Sequence, residues 1–197
     1  MVGKTSDIRN SRIANIMELK PQDLLVLLKA AAHPEQRWTY AALGIELGMS
    51  ASEVHASVKR AVAAGLAVMP GRGDWSPVRP ALIEFVVHGA RYAFPAVLGP
   101  VKRGVPTSIG APPLDTLINS AVGDAPVWPH PQGSVRGPTV SPLYRSAPDA
   151  ALLDPGLHSV LALLDAIRAG RARERALATE LLTRKLEKAS GETGDAG

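Results

Sequence analysis

Residues 19–66, LKPQDLLVLLKAAAHPEQRWTYAALGIELGMSASEVHASVKRAVAAGL, hold three helical patterns separated by two short breaks. The first opens at Pro21, which suits an early helical position because no backbone hydrogen bond is asked of it there. Its apolar stripe of Leu24, Leu25, Leu27, Leu28 and Ala31 repeats at helical spacing and stops near His33-Pro34, where the proline disfavours a helical residue before it. Thr39 can cap the second helix, on which Leu43 and Leu47 lie one turn apart, and Gly48 ends it. Ser50-Ala51-Ser52-Glu53 has the form of a capping box and fixes the start of the third helix. That helix turns Val54, Val58, Ala61 and Val62 inward and leaves Ala51, Ser52, His55, Ala56, Lys59 and Arg60 outward. The small residue at Gly44 and the turn at Gly48 fit two helices crossing steeply. The spacing therefore predicts a helix-turn-helix with its second member offered to a DNA groove.

Working outward, Leu66-Ala67-Val68-Met69 and Trp75-Ser76-Pro77-Val78 flank a Gly-rich turn, Pro70 to Asp74, and predict a β-hairpin. A hairpin after a recognition helix is a wing, here with a short second strand because of Pro77. A fourth helix is expected from Pro80 to about Tyr92, with Leu82, Phe85, Val86 and Ala90 inward and His88 packed. Residues 96–155 are rich in proline and glycine and predict a connecting segment with one short helix, Leu114–Ala121, packed along a surface by Trp128, Leu143 and Tyr144. One long helix is expected from Leu157 to about Lys188. Its first half (Leu157, Val160, Leu161, Leu163, Leu164, Ile167) carries more apolar residues than one stripe against its own domain requires. The fold class read from the chain is mainly α: a winged helix-turn-helix over 17–95, the Pro/Gly-rich segment over 96–155 and C-terminal helices over 156–188. A flexible arm over 1–16 and a tail over 189–197 flank them.

Residues 21–79 resemble the winged helix-turn-helix domains of bacterial transcription regulators of the MarR and ArsR kind. Leu43, Leu47, Gly48, Ser50, Val54, Val58, Val62, Gly65 and Leu66 carry the resemblance, in the order helix, turn, recognition helix, wing. It implies a dimer that sets the third helix in the major groove and the wing over the backbone or minor groove. The run Leu164 to Arg175 resembles, more loosely, small DNA-binding proteins of toxin–antitoxin or phage-defence operons. Nothing after Pro95 matches the regulator pattern.

The net charge of +4 is a weak nucleic-acid signal, yet residues 1–79 hold ten Lys/Arg against seven Asp/Glu whereas residues 151–197 balance. With no cysteine, disulfides and thiolate chemistry are excluded. The chain has neither a signal-peptide core nor an apolar run of membrane-spanning length, so a cytoplasmic protein is expected. The five histidines form no metal-spaced pair, and no nucleophile stands with a base. No cofactor or metal is therefore expected, and no enzyme.

The expected DNA contacts are Ser50, Ser52, His55, Lys59 and Arg60 on the third helix, Thr39 and Tyr40 at the start of the second, and Arg72 at the wing tip. Ser52, His55 and Lys59 are three and four residues apart and share one face. Arg168, Arg171 and Arg175 offer a second nucleic-acid surface, a socket for an acidic partner, or more plainly a charged helix face. The reading is a sequence-specific, homodimeric repressor of bacterial transcription, its two copies joined through the C-terminal helices. The alternative is an antitoxin-like or adaptor module whose Pro-rich segment binds a protein partner such as a toxin.

Overall fold

Within residues 18–71, 73–118 and 124–188, which the computed structural model describes, the chain is mainly helical with two small sheets. The order begins with α1 (Pro21–Ala32), α2 (Tyr40–Leu47), α3 (Ala51–Ala63), β1 (Ala67–Gly71) and β2 (Asp74–Pro77). Next come α4 (Arg79–Glu84), a π-helical turn (Phe85–Gly89) and α5 (Ala90–Ala93). Then follow β3 (Leu98–Pro106), short 3-10 turns at Ser108–Gly110 and Leu114–Thr116, β4 (Val127–Pro129) and β5 (Val135–Val140). The chain closes with α6 (Ala147–Leu153), α7 (Pro155–Ala169) and α8 (Ala172–Lys188).

Local chemistry accounts for the first three helices. Thr39 accepts from the Ala42 amide at 3.1 Å, and Ser50 and Glu53 form the reciprocal capping box. Gly48 ends α2 in the left-handed conformation, φ 62°, that glycine adopts without a Cβ penalty. A Cβ on Gly44 would come within 2.6 Å of the Met49 carbonyl oxygen, so glycine is what lets the turn fold against α2. β1 and β2 pair antiparallel, Ala67 opposite Pro77 and Gly71 opposite Asp74, and Val78 donates to Leu66 just beyond them.

The middle segment differs from expectation. Instead of a linker with a helix at Leu114–Ala121 it forms a three-stranded sheet, and the helix is reduced to the turn at Leu114–Thr116; residues 119–123 lie outside the described ones. β3 pairs antiparallel with both β4 and β5. The glycines that read as loop act as spacers: a Cβ on Gly104 would overlap the Trp128 carbonyl, and one on Gly137 the Ala125 carbonyl. Pro106, Pro129 and Pro138 sit at strand ends or beside a register shift, where a missing donor is tolerated. Trp128 and Leu143 are buried, as their types required, and Tyr144 is half-buried.

The C-terminal helix is two. Gly170 breaks it, with Arg175 donating to the Gly170 carbonyl at 2.7 Å and Glu174 accepting the Arg171 amide. The apolar surplus on α7 is covered by the same chain: Leu157, Val160, Leu161, Leu163, Leu164 and Ile167 are all buried among α1, α5, α6, α8 and the Ser108–Gly110 turn. The surplus therefore does not call for a second copy. One hydrophobic core runs from Leu24 through Trp128 to Leu186, so packing does not divide at residue 95 or 155. His88 is exposed, on the helical segment where a packed histidine is expected from sequence, because two residues from both Val86 and Ala90 it falls on the side opposite their buried face. No helix among the described residues is long and apolar enough to cross a membrane.

Buried aspartates staple these parts together. Asp154 caps α7 by accepting from the Leu157 amide at 3.0 Å, and it also receives Lys29 of α1 at 2.7 Å and His33 at 2.7 Å. Burial alone would raise its pKa, but the hydrogen bonds from Lys29, Leu157 and His33 outweigh it and bring the carboxyl down to about 2. A carboxyl depressed in the folded state stabilises above its ordinary value of 3.8 and loses that contribution as pH falls towards 2. We expect the stability gap between the parent and Asp154→Asn to be on the order of 1–2 kcal/mol at neutral pH, allowing for solvent screening, and to close between about pH 4 and pH 2. Urea unfolding across that range checks it; a gap independent of pH would show that the charge on Asp154 does not hold α7 to α1.

Candidate nucleic-acid interface

Ser52, His55 and Lys59 are exposed along one face of α3, whose opposite face buries Val54, Ser57, Val58 and Ala61. Nothing among the described residues forms a hydrogen bond or ion pair with the side chain of His55 or Lys59. The fold brings the start of α2 to the same place: the Tyr40 ring lies 5.1 Å from the His55 ring, centroid to centroid, and Thr39 is exposed beside it. An edge formed by Thr39, Tyr40, Ser52, His55 and Lys59 thus presents hydroxyl, imidazole and ammonium donors together.

Ser50 plays a different part. Its hydroxyl accepts from the Glu53 amide at 3.2 Å and lies 2.7 Å from the Glu53 carboxylate, while the Ser50 amide donates to the same carboxylate at 2.8 Å. Those bonds, the backbone one first, hold the Glu53 carboxyl below its ordinary range. Ser50 therefore sets where α3 begins and has little hydrogen-bonding capacity left for a ligand.

Arg60 is a correction. It was expected outward, but its guanidinium makes a two-pronged pair with Asp23 of α1, Nε to Oδ2 at 2.7 Å and NH2 to Oδ1 at 2.5 Å. The Asp23 side chain is wholly buried and that of Arg60 only 12 % exposed. The hydrogen bonds that Arg60 donates to Asp23 raise its pKa further, which fixes its charge inside the α1–α3 contact. The reason is stereochemical: α3 is wrapped by α1 on the side where position 60 falls, and a long side chain can bend back to a buried carboxylate. The hint in the sequence is Asp23 itself, an acid set directly before the apolar run of α1. Arg72 lies outside the described residues, as does the arm over 1–16.

The arginine socket does not assemble. Arg168 is buried, donating to Asp165 at 2.6 Å and to the Phe94 carbonyl at 2.7 Å, and so belongs to the core. Arg175 is engaged at the end of α7, and only Arg171 of the three is exposed. Trp38 and Trp75 line a cavity of about 530 Å³ between Thr39 and the hairpin. Among the described residues no group of three or more His, Asp or Glu side chains is arranged to hold a metal ion.

Comparison with protein-family models, with characterised proteins and with solved structures returned no match to this chain.

Proposed function

We propose that the chain binds double-stranded DNA through a winged helix-turn-helix, with α3 as the recognition helix and β1–β2 as the wing, and that it acts as a transcription regulator. The observation that carries this is the free face of α3: Ser52, His55 and Lys59 exposed and aligned, with Thr39 and Tyr40 joined to it. A helix buried on one side and fixed at its N-terminus by a capping box is rigidly presented. Its outward donors match base edges and phosphates. No bidentate Asn, Gln or Arg stands on that face now that Arg60 is engaged with Asp23, so discrimination is proposed to lean on DNA shape as well as on direct base contact.

The test is a gel-shift titration against the DNA upstream of the chain's own coding sequence, with scrambled duplex as competitor, at two salt concentrations. A discrete, competitor-resistant shift supports the reading. Lys59→Ala is expected to weaken binding to both duplexes, to flatten the salt dependence by about one unit of slope, and to leave the melting temperature unchanged because the side chain is exposed. Equal binding by Lys59→Ala and the parent would take Lys59 out of the interface.

A second reading, a protein-interaction module, is favoured by the exposed aliphatic residues Val97, Leu98, Val101 and Val135 on and beside β3 and β5. Affinity for a protein partner that survives high salt would support it, whereas DNA affinity that falls steeply with salt supports the regulator.

A further inference from the structure

We propose that the DNA-facing surface continues off the α2–α3 pair onto Arg145, whose guanidinium adds a phosphate contact beside the start of α3. The inference rests on the DNA reading above and extends it to a part of the chain that lies outside the winged helix.

The loop that carries Arg145 is pinned on both sides. Leu143 and Ala147 are buried, and the Ser146 hydroxyl donates to the Leu47 carbonyl at 2.5 Å, a contact spanning 99 positions of sequence. Gly48, in the turn between α2 and α3, faces the same serine: a Cβ there would sit 3.3 Å from the Ser146 Cβ. The middle segment is thereby locked onto the very turn that positions α3. Between these anchors Arg145 is exposed, and its guanidinium carbon lies 5.6 Å from the centroid of the Tyr144 ring, which props it without neutralising it.

Among the described residues Arg145 takes part in no hydrogen bond or ion pair. The nearby acid, Glu53, is occupied by the amide and hydroxyl of Ser50, yet it lies close enough for the Arg145 charge to favour its ionised form. An unpaired guanidinium held on a rigid loop next to a recognition helix has the geometry to clamp a phosphate, which its planar fork of donors matches. The contact would be independent of base sequence, positioning the duplex against Ser52, His55 and Lys59 rather than reading it.

The experiment is fluorescence anisotropy of the full chain with a labelled duplex of random sequence, recorded as log affinity against log salt. Arg145→Ala is expected to weaken binding and to reduce the slope by about 1, with an unchanged melting temperature, and Arg145→Lys to keep most of the slope. Arg184→Ala removes the same charge from α8, where Arg184 pairs with Glu180, and is expected to leave the slope alone. A parent slope in Arg145→Ala beside a reduced one in Lys59→Ala would overturn the Arg145 contact while the DNA reading stands. Equal losses in Arg145→Ala and Arg184→Ala would reduce the effect to net charge and overturn it too. A parent chain with no salt-dependent binding would overturn both readings together.

Discussion

Replacing Asp165 by alanine is expected to cost the fold about 3–5 kcal/mol, the range seen when one partner of a buried ion pair is removed. Asp165 is the joint between the long helix α7 and the three-stranded sheet. One carboxylate oxygen accepts from the Thr107 hydroxyl at 2.9 Å and from the Trp128 indole at 2.6 Å; the other accepts from Arg168 at 2.6 Å. The carboxylate is 1 % exposed and the Arg168 side chain 3 %, so water cannot replace what the substitution takes away. Three donors are left without an acceptor, one of them a full charge.

Urea unfolding of the single variant gives the size of the loss, and the pair Asp165→Ala with Arg168→Met shows where it comes from. Removing the stranded guanidinium as well should recover part of the stability, because an apolar side chain in that place requires no counter-charge. Recovery should be incomplete, since Thr107 and Trp128 remain unpaired. A single-variant loss under about 1 kcal/mol would mean that Asp165 contributes little to holding the sheet to α7, leaving apolar packing and the 2.7 Å bond between His158 and the Pro106 carbonyl.

This joint also shows why the two halves of the chain were unequally legible. The helices α1 to α3 are specified by neighbours: Thr39 caps an amide three residues on, Ser50 and Glu53 cap each other, and Gly48 supplies its own turn. Such instructions can be read locally, and so could the face of α3 that carries Ser52, His55 and Lys59. The sheet depends on partners that sequence does not bring together. Val105 faces Trp128 across β3 and β4, and Gly104 admits the strand that Trp128 belongs to, but glycine and proline in a row read as punctuation when the partner strand is unknown. For α7 the composition was legible and its meaning was not. Leu157 to Ile167 announce a helix that must be covered, and nothing in them says whether the cover is another copy or, as here, α1, α5, α6 and α8 of the same chain. Charged residues read as outward by type, which is why the sequence offers Arg60 as a DNA contact and Arg168 as part of an exposed charged face, whereas both are bound to internal aspartates.

Arg60→Ala is the sharpest test of that distinction. It leaves Asp23, a wholly buried carboxylate, without the guanidinium that neutralises it, and is expected to cost about 3–5 kcal/mol in urea unfolding. The bond from the Lys20 amide to Asp23 at 2.8 Å softens the loss but supplies no counter-charge. On the proposed DNA reading, loosening the α1–α3 contact should also lower DNA binding, and a binding assay alone would mistake the staple for a contact. Two comparisons separate them. Lys59, one residue earlier on the exposed face, should lose affinity without losing stability. The double variant Asp23→Leu with Arg60→Met should regain much of the stability of the α1–α3 contact and, if α3 is thereby restored to its seat, regain DNA affinity although no guanidinium is present. An Arg60→Ala protein as stable as the parent but unable to bind DNA would return Arg60 to the interface and show that the pair with Asp23 opens when the duplex arrives.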